Sequence, residues 1–190
     1  MGGGDKALID IDGRTMLDRV LARFSPQCET AILNANGDPQ RFARFGLSVI
    51  ADDVADFAGP LAGILAGLDW AARHKPDLRW VASVPGDCPF LPEDMVMRLH
   101  EAREKSGAAL ACASSGAWRH PVAGLWDVGL RHDLRRALIE EGMRKVEDWA
   151  ARHGIATAAW PDRPFDPFFN VNTPEDRARA ALVARQYCDG

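Results

Sequence analysis

The chain is poor in the features that would assign its class at once. Only four cysteines occur in 190 residues, Cys28, Cys88, Cys112 and Cys188, and none forms a CxxC pair. That spacing suggests neither a zinc site nor a disulfide framework, so reduced thiols in a cytoplasmic protein are expected. No apolar run reaches the length that crosses a bilayer, and residues 1–6 lack the basic and apolar regions of a signal peptide. Positive charge is not in excess either: 23 Lys and Arg face 27 Asp and Glu, a formal net charge of -4. Neither a nucleic-acid partner nor a membrane surface is suggested. Any polyphosphate ligand would need local compensation from a lysine, an arginine or a metal ion. Repeats, low-complexity segments and linker-like stretches are also missing, which leaves a single domain over residues 1–190.

What is present is an alternation of apolar runs with amphipathic stretches, the pattern of βα units around a mostly parallel sheet. Strands are expected at about 31–33, 47–51, 80–84, 108–113, 121–126 and 156–160, with a further strand ending at 169–172. Thr15 with Asp18 predicts the cap of a helix running to about Phe24, and Pro60 sits where a first helical residue belongs. Further helices are expected from Pro92, over 130–140 and 144–153, and from Pro174 with Thr173 as its cap.

Ligands of an open α/β sheet gather beyond the carboxyl ends of its strands, so the polar residues just after each strand are the candidates. Gly2-Gly3-Gly4 followed by Lys6 offers unobstructed backbone amides and an ammonium to phosphate, or is simply a terminal tail. Asp87, in Pro85-Gly86-Asp87-Cys88-Pro89, presents one carboxylate on a rigid turn, suited to a hard dication or to capping the turn itself. Asp52 is a second carboxylate or a solvated loop acid beside Asp53. Asn34 supplies a donor and an acceptor for a base edge or ribose, or serves its own turn. Gly59, Pro60 and Leu61 let a ligand approach the main chain at a helix start, or only begin the helix. Arg119 and His120 precede a strand and could face a second substrate, although such a histidine is more often structural. Arg144 and Lys145 near a helix start misfit the dipole unless an anion lies close. Capping accounts for Thr173 but not for Asn170.

Taken in order, MGGGDKAL, IDGR, LNAN, VIADD, GPLAGI, VPGDCPFLP, RHPV, EGMRKV and FNVNTPED resemble the molybdenum cofactor guanylyltransferase family over nearly the whole chain. That family lies within the nucleotide-sugar-transferase-like nucleotidyltransferases, and RHPV and FNVNTPED are the specific members of the set. The resemblance implies a single-domain, three-layer α/β/α Rossmann-like fold, with a nucleotide-binding N-terminal half and a pterin-binding C-terminal half. It implies transfer of GMP from GTP to the terminal phosphate of molybdopterin, release of pyrophosphate, and Mg²⁺ as the metal. Lys6 would hold the triphosphate, Asn34, Asp52, Gly59, Pro60 and Leu61 would line the GTP pocket, and Asp87 would bind both GTP and the metal. Arg119, His120, Arg144, Asn170 and Asn172 would lie toward the pterin. A monomer is expected, in transient contact with proteins that deliver molybdopterin and mature molybdoenzymes.

The pattern departs from the family at its start, where relatives have a strand and a Leu-Ala-Gly-Gly loop before Met-Gly. The first strand is therefore expected to be missing from this chain, with Met1 an internal methionine of a product that begins upstream. Two other readings stand beside the first. One is a cytidylyltransferase acting on the same pterin, or a related sugar-phosphate nucleotidyltransferase; the other is a truncated, non-catalytic paralogue that binds a pterin or a partner protein.

Overall fold

A computed structural model describes residues 6–54 and 59–188. The glycine run Gly2-Gly3-Gly4, expected to cradle phosphate, lies outside the described residues.

The first described elements are a 3-10 turn, Lys6–Leu8, and a short hairpin of β1 (Asp10–Ile11) and β2 (Arg14–Thr15). Asp12 and Gly13 both have positive φ, 55° and 83°, as a two-residue turn of the primed kind requires. Sequence patterning gave no sign of this hairpin, whose strands have only two residues each. Helix α1 (Met16–Phe24) follows, with the expected reciprocal cap: Asp18 N donates to Thr15 Oγ1, and Thr15 N to Asp18 Oδ2.

Strand β3 (Ile32–Asn34) pairs in parallel with β4 (Ser48–Ile50), joined by the 3-10 segment Pro39–Phe45. Helix α2 (Pro60–His74) opens on Pro60 and buries Leu61, Ile64, Leu65 and Leu68 along one face. Then come β5 (Trp80–Ser83), α3 (Met95–Ser106), β6 (Leu110–Ser115), β7 (Trp118–Asp127), α4 (Arg131–Ile139), α5 (Val146–Ala151), β8 (Ile155–Trp160) and α6 (Pro174–Val183).

The larger sheet has the order β5-β7-β6-β8. Because β7 is antiparallel to both β5 and β6 while β8 is parallel to β6, three strands share a direction and only β7 opposes them. Alternation along β7 and β6 sends Trp126 and Leu110 to one face, against α2, α4 and α5, with Trp149 among their neighbours. Leu125, Ala111 and Ala113 go to the other, against Val20 of α1, Met95 and Leu99 of α3. The result is the expected three-layer α/β/α arrangement.

Strands β3 and β5 do not pair with one another. Both line an apolar cleft of about 490 Å³, walled by Leu17 and Val20 of α1 and by Gly63 and Ile64 of α2. A second hollow of about 460 Å³, reaching Ala31, Ile32, Trp80 and Val81, continues it toward the start of both strands. Among the described residues the edges of β3 and β5 that face this cleft are bonded to no other strand.

Three expectations need correction. Arg119, His120 and Pro121 do not precede a strand but lie within β7. Pro121 is accommodated because pairing jumps from Cys112–Gly124 to Ala113–His120, leaving residues 121–123 bulged out where no ladder N–H is needed. Residues 169–172 are not a strand; they cross the sheet end as an extended strap, whose tie to the neighbouring loop is one backbone bond from Val171 N to Asp87 O (3.0 Å). Helix α3 begins at Met95, three residues after Pro92.

Candidate active site

The mouth of the cleft lies beyond the carboxyl end of β5, where the chain turns through Pro85-Gly86-Asp87. Asp87 Oδ1 accepts a hydrogen bond from Asn170 Nδ2 (2.9 Å), and Lys6 Nζ donates to Asn172 Oδ1 (3.1 Å). Both asparagines come from the strap, and the chain's alternation explains how. Val171 is turned inward, 3% exposed, into a cluster with Ile11, Met16 and Phe90, so Asn170 and Asn172 must face the other way. Burial of one valine therefore aims two amides at two charges. Ala7, next to Lys6, sits against Gly86, so the ammonium and the carboxylate occupy neighbouring loops.

Farther along the cleft, Asn34 lines the wall and joins Asn36 and Asp52 behind it in a closed network at the ends of β3 and β4. Asp52 Oδ1 accepts from Asn34 Nδ2 (3.0 Å) and Oδ2 from Asn36 Nδ2 (2.9 Å), while Asp52 N donates to Asn36 Oδ1 (2.9 Å). Asn34 Nδ2 also donates to Ile50 O (3.3 Å). Asp53 takes no part; it pairs with Arg135 of α4 (2.8 Å), which also binds Asp69 of α2 (2.5 Å). Gly59 and Pro60 line the cleft. Leu61, expected beside them, is 1% exposed and packed in the core, so it does not line the cleft.

On the far side of the strap, Ser115 Oγ donates to Asp166 Oδ1 (2.7 Å) and lies 2.6 Å from His120 Nε2. With its one hydrogen on Asp166, Ser115 is left to accept, so His120 carries its proton on Nε2. The serine sits between acid and imidazole and is 1% exposed, which is a clasp and not a nucleophile arrangement. Burial pushes His120 below its ordinary value, with the Asp166 charge working in the opposite sense, so the ring is neutral near pH 7. Phe168 stacks on it at 4.6 Å, and Asp166 Oδ1 also accepts from Phe168 N (2.9 Å), fixing the start of the strap. Arg119, next to His120 in β7, and Arg144 are both exposed. Burial pushes the Cys28 thiol up to about 11 and that of Cys88 higher still, which removes both as nucleophiles at neutral pH.

Among the described residues no group of three or more His, Cys, Asp and Glu side chains could hold a metal ion. Asp87 does fit a dication that takes most of its ligands from phosphate and water, because Asn170 occupies only one of its carboxylate oxygens. Sequence reasoning did not single out Ser115 and Asp166, which are joined only by the fold. Asn36 and Gly63 lay within the candidate stretches LNAN and GPLAGI, without roles of their own.

Residues 1–155 match the model of the MobA-like NTP transferase domain. The chain is 58% identical to the molybdenum cofactor guanylyltransferase of Nitrobacter hamburgensis, over 97% of this chain and 88% of that protein. It is 40% identical to the enzyme of the same name from a Shewanella species, over 98% and 91%. Among solved structures it is similar to molybdopterin-guanine dinucleotide biosynthesis protein A from Archaeoglobus fulgidus, with TM-score 0.73, 25% identity, and 97% and 92% of the two chains covered. A likeness of fold alone links it to 2-C-methyl-D-erythritol 4-phosphate cytidylyltransferase from Thermus thermophilus, at TM-score 0.68 and 19% identity over 96% of this chain and 95% of that one.

Proposed function

The chain belongs to the MobA-like NTP transferase family, and we propose that it transfers GMP from GTP to the terminal phosphate of molybdopterin, releasing pyrophosphate. The observation that carries this reading is the meeting of Lys6 and Asp87 at the mouth of the cleft, each held by an asparagine of one strap.

The attacking group is a phosphate oxygen of molybdopterin, already an anion at neutral pH, so no general base is required. Its bond to the α-phosphorus of GTP forms as the bond from that phosphorus to the β-bridging oxygen breaks, and the electron pair leaves on pyrophosphate. Lys6 neutralises the triphosphate and the charge that grows on the leaving group. Asp87 would hold Mg²⁺ through the oxygen that Asn170 leaves open, and the ion would supply further positive charge to the phosphates. Asn34, Asp52 and the main chain at Gly59 and Pro60 serve the guanosine end. Arg119, His120 and Arg144 serve the pterin end, together with Asn170 and Asn172, which already touch the nucleotide-side pair. Catalysis then rests on positioning and charge, without a covalent enzyme intermediate.

The net charge of -4 supports small anionic substrates held by local cations rather than a nucleic acid. Among the described residues no helix is long and apolar enough to cross a membrane. A cytoplasmic monomer that receives molybdopterin from one protein and passes its product to another completes the reading.

Thermal shift with Mg²⁺ tests the nucleotide. GTP is expected to raise the Tm and CTP to raise it less; stabilisation by CTP alone would replace guanylyl with cytidylyl transfer.

A further inference from the structure

We infer that Asn36 is a positioning residue for nucleobase choice, acting through Asp52 to hold the side-chain oxygen of Asn34 toward the base; this rests on the guanylyl-transfer reading above. Asn36 and Asp52 exchange two hydrogen bonds, Asp52 N to Asn36 Oδ1 and Asn36 Nδ2 to Asp52 Oδ2, both 2.9 Å. That exchange fixes the carboxylate, so that Asp52 Oδ1 accepts one amino hydrogen of Asn34 (3.0 Å) while Ile50 O takes the other (3.3 Å). Turned over, the Asn34 amide would aim its oxygen at two acceptors, so only one orientation satisfies the network.

The consequence falls on the opposite side of the amide. Asn34 Oδ1 is pressed against Gly63 on the cleft wall, so closely that a Cβ at Gly63 would lie 2.5 Å from it. No described residue donates a hydrogen bond to this oxygen. A fixed acceptor at that place favours a ligand edge that donates, and the N1–H and N2–H₂ groups of guanine form such an edge. Cytosine has one donor group, its N4 amino, beside acceptors at N3 and O2, so a fixed acceptor meets one donor group on cytosine where guanine presents two side by side. Asn36 does not line the cleft, so any effect of its removal on the choice of base must pass through Asp52 and Asn34. Gly63 provides the second lever. Alanine is the better helix former, so Gly63→Ala is expected to leave the fold intact while its methyl displaces Asn34 Oδ1.

The test is calorimetric binding of GTP and of CTP, each with Mg²⁺, to the wild type, Asn36→Ala and Gly63→Ala. The wild type is expected to prefer GTP, and both variants to lose about tenfold of that preference, roughly the effect of one neutral hydrogen bond. The Tm of Gly63→Ala should not fall. Variants that keep the wild-type preference overturn the inference, as does equal weakening of both nucleotides, which would assign Asn34 to the ribose or phosphates. A wild type that prefers CTP overturns the guanylyl reading itself, which separates the two failures.

Discussion

The two polar stretches of the cleft are built in opposite ways. At the Asn34 end three side chains close a network in which both Asp52 oxygens and the Asp52 N–H are engaged by asparagines. At the mouth, Lys6 and Asp87 are each tied by a single neutral amide, from residues 166 and 83 positions away in sequence. A closed network holds a shape, which is what recognition of a base edge requires. Singly tied charges keep donors and an oxygen available for phosphate and metal, which is what chemistry requires. Selection and transfer are thereby given to different residues along one cleft.

The largest effect that could break this division is at Asp87. Asp87→Ala is expected to lower GMP transfer by about 10³-fold, within the range for loss of a charge-stabilising group, while GTP is still preferred over CTP in binding. Loss of the preference together with the rate would merge the two regions into one. Lys6→Ala should cost about 10²-fold in kcat/KM for GTP, again without altering the choice of base, as steady-state pyrophosphate release would report.

Val171→Ala tests whether the strap depends on its buried valine. A cavity in the cluster around Phe90 should cost about 1–3 kcal/mol in urea unfolding, with a fall in turnover as Asn170 and Asn172 lose their aim. An unchanged unfolding midpoint would mean that the strap is held by its hydrogen bonds alone.

The smallest effect is at His120. Its folded-state value lies below the ordinary 6.5, so its neutral form contributes stability in full above that pH, and the contribution is lost as pH falls below 6.5. Between pH 7.5 and 5.5 the wild-type Tm should therefore drop more than that of His120→Gln. An equal drop would remove His120 from the acid sensitivity.

Features set by near neighbours were legible in the chain. The caps at Thr15 and Thr173 depend on a residue three positions on, and Pro60 on its own ring, and all three helices begin where expected. Alternation located every strand of the larger sheet to within a few residues, but the opposed direction of β7 depends on which strands pair, which no local pattern states. The strap illustrates the limit best. The motif Asn170-Val171-Asn172 was conspicuous, and its alternation suggested a strand; its partner proved to be the loop at Asp87 and not a sheet edge. Likewise Asp52 and the stretch from Asn34 to Gly37 were both candidates, but that Asn36 is the residue tied twice to Asp52 depends on the pairing of β3 with β4.

The most direct test of the central claim is product identification. Wild-type protein is incubated with molybdopterin and Mg²⁺ and either GTP or CTP, and the products are analysed by mass spectrometry. The expected result is molybdopterin carrying GMP, with one pyrophosphate released per adduct, and little or no CMP adduct. A CMP adduct in its place, or molybdopterin returned unmodified with GTP intact, would contradict it.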